Sequence, residues 1–332
     1  MSVTFSGGIT FTGGGFSFTA PPSGPYQAGW IGGGGPSYAY SSIVDRITYA
    51  TDTATASVRG PLSSNKYGLM AVGTLPYGWF AAGISAASYP SALSTVDRIT
   101  YATDTATASV RGPLSYSTIS GAASGNDTYG WVGGGTPSPA GGTYSRVSRI
   151  TYATDTATAT SRGPLSSPTR QMAAAGNTTD GWFAGGYVTP TAYVSTVQRI
   201  TYSNDNVTAS VRGSLSTTIY IESATSDGTT YGYFGGGYNT GPGGGLTSKV
   251  QRITYANDTA AVSIRGPLSS ARSYAATTGN STDGWFCGGM VPGPVSTVDR
   301  ITYATDTATA SVKGPLSMAR IEIAGTSGGS YS

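Results

Sequence analysis

Carboxylates are the only side chains in this sequence suited to acid–base work near neutral pH, because its 15 Asp and Glu come with no histidine at all. Imidazole catalysis, a Ser-His-Asp triad and histidine-ligated zinc or copper are thereby excluded. A pair of carboxylates could still hydrolyse a glycoside. An Asp flanked by Asn or Thr, as in Asn204-Asp205-Asn206 and Asn257-Asp258-Thr259, could lend oxygens to calcium. The places of the acids argue against both. Asp52, Asp104, Asp155, Asp205, Asp258 and Asp306 hold one recurring position, Asp45, Asp97 and Asp299 a second, and Asp127, Asp180, Asp227 and Asp283 a third; Glu222 and Glu322 complete the set. An active site should break the pattern of a repeat, and no copy carries an added acid cluster. The reading is a protein that is not an enzyme, with no catalytic residue, cofactor or metal site. One carboxylate per turn is thin for calcium, so the recurring Asp is read as a turn former bonding nearby backbone. Cys287 is the only cysteine, which forbids an intrachain disulfide and reads as a small buried thiol.

The element that positions these residues is a repeat. VDRITYATDTATASVRGPLS runs from Val44 to Ser63 and returns five times, with its RITY core at Arg46, Arg98, Arg149, Arg199, Arg252 and Arg300. A period of about 50 residues with strand-like patterning points to a propeller or solenoid. Ile47, Thr48, Tyr49, Thr55 and Val58 favour extended chain, so each copy predicts a hairpin with the Asp in its turn, stopped by Gly60-Pro61. A register setting Asp45 opposite Arg59, Asp97 opposite Arg111 and Asp299 opposite Lys313 would match opposite charges across the hairpin. Before each hairpin lies a strand ending in glycine or alanine (GWIGGG, GWFAAG, GWVGGG, GWFAGG, GYFGGG, GWFCGG); after it comes a strand of small residues, expected nearest the axis. The last hairpin is followed by a spare small-residue strand at 320–327, which the first unit lacks. Joining it to the first unit would close the ring and remove the open edges.

Residues 1–25 differ from the rest. Phe5, Ile9, Phe11, Phe16 and Phe18 alternate with Ser, Thr and Gly, predicting two short strands broken by Gly13-Gly14-Gly15, an arm for attachment and assembly. The opening carries no Lys or Arg and no continuous apolar run, so it does not read as a secretory signal, and no stretch reaches the length of a membrane span. The net charge of +3 is small, and most of the 18 Lys and Arg sit at repeat positions spread over all copies, which disfavours nucleic-acid binding.

In WFCGG followed by VSTVDRITYATDTATASVKGPLS and a small-residue strand, the repeat resembles the kelch family over residues 26–328. That resemblance implies an all-β, six-bladed propeller of four-stranded blades. Kelch repeats usually place a tryptophan in the fourth strand; here Ala54, Thr55, Ala56 and Ser57 stand there, so inter-blade packing must differ. The near-identical copies and the GGITFTGGG opening also resemble virion components of tailed bacteriophages, marine ones especially. This second resemblance implies a tail fibre, adhesin or capsid decoration on the particle surface, made in the host cytoplasm without a signal peptide. Its partners would be other virion proteins, contacted through residues 1–25 within a homo- or hetero-oligomeric assembly, and a host-surface glycan or protein receptor.

What varies between copies is the loop before RITY. Strand alternation puts these loops at the same end as the links after PLS, and variable loops on a rigid scaffold are where binding resides. Candidate binding-face residues are Tyr38, Tyr40, Tyr89, Tyr144, Tyr187, Tyr193, Tyr238, Lys66, Arg170, Arg272 and Arg320. Two rival readings use the same face: a carbohydrate-binding propeller whose tyrosines stack on sugars, and an intracellular kelch-type scaffold holding an acidic peptide through the four cations.

Overall fold

A computed structural model describes residues 4–5, 9–12, 15–18, 27–190, 192–220, 223–241 and 244–328, the first three segments and Tyr38 as backbone only. The chain is all-β, built from repeated four-stranded antiparallel sheets in a propeller-like arrangement. Each sheet runs from a small-residue inner strand, through the glycine-ended strand and the RITY strand, to a short outer strand. In the second sheet these are Met70–Thr74, Tyr77–Ala81, Val96–Thr100 and Ser109–Arg111. The third starts at Ala122–Gly125, the fourth at Ala173–Gly176, the fifth at Ser223–Ser226 and the sixth at Ala276–Gly279. The first sheet alone draws on both ends of the chain. Its inner strand is Ala324–Ser327, paired antiparallel with Ala28–Gly32 so that Ser327 lies opposite Gly29. Inner strands of consecutive sheets touch, and that of the sixth touches that of the first.

Small residues sit on the inner strands because the strands converge there. A Cβ on Gly325 would fall within 2.0 Å of the Thr277 carbonyl oxygen, and one on Gly73 within 2.1 Å of Thr326. Larger apolar side chains gather between sheets, where each cluster draws on two neighbours, as when Trp79, Val96 and Leu114 meet Val132, Ile150 and Tyr152.

The hairpin register differs from the expectation. Val44, not Asp45, lies opposite Arg59; Asp45 faces Val58, Asp97 faces Val110 and Asp299 faces Val312. The reason is that Asp45, Asp97 and Asp299 point into their own sheet's interior, where each meets a buried cation. That leaves Val58, Val110 and Val312 more than half exposed on the outer strand.

The recurring Asp is likewise not a local turn former. A 3-10 turn at Tyr49–Thr51 delivers Asp52 into the joint with the preceding sheet, where Trp285 Nε1 donates to it at 3.0 Å and Arg300 at 3.1 Å. In the same way Asp104 takes Trp30 and Arg46, Asp155 takes Trp79 and Arg98, Asp205 takes Trp131 and Arg149, and Asp258 takes Trp182 and Arg199, while Asp306 takes Arg252 and the hydroxyl of Tyr233, which stands in the tryptophan's place and stacks on Tyr303. Arg59, Arg111, Arg162, Arg212, Arg265 and Lys313 bring a second cation to these carboxylates at 3.4–3.6 Å. The RITY tyrosine then stacks on the same tryptophan, with ring centroids 3.8–4.1 Å apart. The tryptophan comes from the glycine-ended strand, and its joint is closed by Tyr and Asp of the next copy.

In the N-terminal arm the described backbone forms three strands, not two: Thr4–Phe5, Ile9–Thr12 and Gly15–Phe18, paired in chain order. Ile9 lies opposite Phe18 and Phe11 opposite Phe16.

Candidate functional site at the axial mouth and loop face

Just before each inner strand the chain bridges to the start of a variable loop: Tyr67 to Ile84, Ile119 to Thr136, Arg170 to Tyr187, Tyr220 to Tyr238, Ser273 to Met290 and Ile321 to Gly35, and Lys66 also bridges to Ser41 at the end of the first loop. The loops and the mouth of the central channel therefore share one face. At the opposite end the turn Asp residues are consumed in the joints between sheets.

One residue further on, four non-glycine residues hold positive φ: Ser120 at 55°, Gln171 at 56°, Tyr274 at 59° and Glu322 at 56°. Gly68 holds the equivalent place in the second sheet at 67°. Their peptides link head to tail across sheets. Gly68 N donates to the Glu322 carbonyl (3.0 Å), Ser120 N to the Gly68 carbonyl (3.1 Å) and Gln171 N to the Ser120 carbonyl (2.6 Å). At Ser120 and Gln171 the neighbouring sheet's backbone thus helps hold a non-glycine residue in the left-handed region. The side chains ring a mouth. A throat of about 90 Å³ is bounded by Ser120, Gln171, Tyr274 and Glu322 above and by Leu69, Met172 and Ile323 beneath. It adjoins a cavity of about 240 Å³ that reaches Tyr67, Ile119, Thr136, Pro139 and Arg170. Below the apolar collar the channel is lined largely by alanine and glycine.

The Glu322 carboxyl has no hydrogen-bond or ion-pair partner among the described residues, and desolvation raises its pKa from 4.5 to about 7. Arg170 donates to the Pro139 carbonyl at 2.9 Å and lies 5.0 Å over the Tyr187 ring. From Tyr187 an aromatic ladder runs through Tyr193 and Tyr220 to Tyr238, with successive centroids 5.1, 4.7 and 5.5 Å apart. Tyr193 and Tyr238 remain 39% exposed.

The structure thus gathers three of the predicted tyrosines, Tyr187, Tyr193 and Tyr238, and adds Tyr220. Tyr89 stands apart at 60% exposure. Tyr40 packs on Tyr67, and Tyr144 sits edge-on to Tyr116 beneath Arg146. The Tyr38 side chain, like those of Phe5, Ile9, Phe11, Phe16 and Phe18, lies outside the described residues.

Lys66, Arg272 and Arg320 are not surface cations. Lys66 Nζ lies 3.0 Å from Asp97, Arg320 2.7 Å from Asp45, and Arg272 against Asp299, with every partner fully buried. Burial lowers the pKa of Arg272 and Arg320, opposed by the facing Asp. Of the four predicted cations, Arg170 alone reaches the mouth.

The sequence carried a signal for these pairs. In the first, second and sixth sheets an acid before RITY coincides with a cation four residues ahead of the inner strand; the other three place Thr118 with Ser148, Thr169 with Gln198 and Ile219 with Gln251. In every sheet the residue before RITY accepts from the amide of a PLS serine, as Asp97 does from Ser63 and Gln198 from Ser166. The mouth residues had a fainter signal. Gly68, Ser120, Gln171, Tyr274 and Glu322 are unlike one another at a single position of a near-identical repeat.

Compared with models of known protein families and with curated proteins, the chain matches none. No helix among the described residues is long and apolar enough to cross a membrane.

Proposed function

We propose that this chain is a closed, six-bladed, kelch-like propeller that binds a partner through its loop face and catalyses no reaction. The observation that carries the reading is the contrast between the two ends. Turns at one end are spent on matching joints between sheets, Trp–Tyr–Asp in five and Tyr233–Tyr303–Asp306 in the sixth, while at the other six unlike loops surround a polar mouth and exposed tyrosines. The first sheet, shared by both ends of the chain, and the return of contact from the sixth inner strand to the first support closure. The sequence's resemblance to phage virion components supports a tail fibre, adhesin or capsid decoration on the particle, with residues 1–25 as a separate attachment arm. Two variants test this. Deleting residues 1–25 should leave a folded propeller that no longer joins its assembly. Replacing loops 137–142 and 188–192 by short Gly-Ser turns should abolish host-cell binding while assembly persists. Normal cell binding by the loop variant would refute the loop-face reading, and normal assembly by the deletion would refute the arm's role.

A second reading, a carbohydrate-binding propeller, is favoured by one feature. The ladder from Tyr187 to Tyr238 offers rigid, amphipathic rings beside polar groups, the combination that saccharides stack on and hydrogen-bond to.

A further inference from the structure

We propose that the axial mouth is a subsite for the terminal residue of an uncharged glycan, held by Ser120, Gln171, Tyr274 and Glu322 at the axis and by Arg170 at its rim. The proposal rests on the loop-face reading and names what that face takes.

Chemical balance is the first argument. The 240 Å³ cavity is lined by two hydroxyls, a carboxamide, two phenols, a carboxyl and a guanidinium. These offer donors and acceptors of both kinds with no excess of either charge. A phosphate or other anion would meet Glu322, and a bare cation would meet Arg170. Sugar hydroxyls, each a donor and an acceptor, suit such a lining. Glu322 adds to this, since its carboxyl is shared between protonated and ionised forms near neutral pH and so can act in either sense. The other titratable groups lining the cavity are Arg170, Tyr67 and Tyr274.

Backbone strain is the second. Gly68 shows that the fold meets this position at no cost with glycine, whereas Ser120, Gln171, Tyr274 and Glu322 each hold a side chain there in the left-handed region. Backbone held in such sparsely populated conformations clusters at active sites and ligand clamps. The apolar collar of Leu69, Met172 and Ile323 closes the cup below, so a ligand enters from the loop face.

Continuity is the third. Arg170 both lines the cavity and covers Tyr187, the first ring of the ladder, so a chain whose end occupies the mouth would leave across Tyr193 and Tyr238.

Gln171→Gly makes the decisive variant because it deletes a mouth side chain and relieves a positive φ, so it should fold at least as well as the parent. The probe is an array of neutral and sialylated oligosaccharides, read with the full chain, Gln171→Gly and Tyr193→Ala, alongside thermal melts of all three. The expected result is binding of one or more neutral glycans, at least tenfold weaker in Gln171→Gly at an undiminished melting temperature. Binding lost in Tyr193→Ala but kept in Gln171→Gly would overturn the axial subsite and leave the loop face standing. Recognition confined to sialylated glycans, or no glycan bound while whole-cell binding persists, would overturn the glycan assignment alone.

Discussion

At the scale of single residues, the buried ion pairs show how a repeat protein carries two solutions to one problem. Asp45 must accept from the Ser317 amide in a fully buried site, and Arg320 neutralises it. In the fifth sheet Gln251 does the same for Ser216, and the cation's place is taken by Ile219. Arg320→Ile should therefore cost roughly 3–5 kcal/mol by leaving Asp45 buried and unpaired, whereas adding Asp45→Gln should restore most of that. Urea titrations of the single and double variants would check this. A second residue-scale defect is Tyr152, whose hydroxyl has no partner among the described residues, whereas Tyr101 and Tyr303 bond Thr326 and Thr225 of the preceding inner strand. Val72 stands where those threonines do, and Val72→Thr should raise stability by about 1 kcal/mol by giving the phenol an acceptor. Glu322 sets the pH dependence. Its folded-state pKa lies above the unfolded value, so its contribution is fully present below pH 4.5 and is lost as pH rises through about 7. With no histidine in the chain, melting temperature should fall between pH 5 and 8, and Glu322→Gln should flatten that fall.

At the scale of the element, the joint between sheets is the unit of stability. Asp155 holds an indole N–H and two guanidinium groups at once, while its backbone carbonyl accepts from Gly112 at 2.8 Å. That approach is why glycine precedes the proline, since a Cβ on Gly112 would lie 2.0 Å from the Ala157 carbonyl oxygen. Asp155→Ala should cost roughly 3–5 kcal/mol by stranding two arginines and an indole, and Asp155→Asn clearly less, because the amide oxygen still serves Trp79. Chemical denaturation monitored by tryptophan fluorescence would separate the two.

The hairpins, the glycine-ended strands, the small-residue strands and their number were legible in the sequence because they rest on period and residue type. The partners of Asp52 and its equivalents were not. Sequence proximity to a turn suggested local backbone bonds, whereas the carboxylate's partners lie in the preceding sheet. The one-residue error in hairpin register had the same origin. Pairing Asp45 with Arg59 matched charges within one copy, and the true partner, Arg320, lies 275 residues away.

At the scale of the whole molecule, the first sheet ties residues 27–59 to residues 320–328, so integrity depends on the chain's end. Removing residues 318–332 takes away an inner strand and Arg320 together, and should lower the melting temperature by roughly 10 °C or more. By contrast, residues 27–328 joined end to end by a short linker and opened between Gly141 and Gly142 should melt close to the parent. Ser327 already lies opposite Gly29, and Gly142 has open space around it. Circular dichroism melts of the two variants would check this. The sequence by itself determined the period, the strand types and the spare terminal strand, because apolar alternation and glycine punctuation are local properties of the chain. Only the tertiary structure decided that Lys66, Arg272 and Arg320 are buried partners of Asp and not a binding face, and that Ser120, Gln171, Tyr274 and Glu322 meet around one axis. Convergence of residues about 50 apart is a property of how sheets are arranged about a centre, which no single repeat encodes.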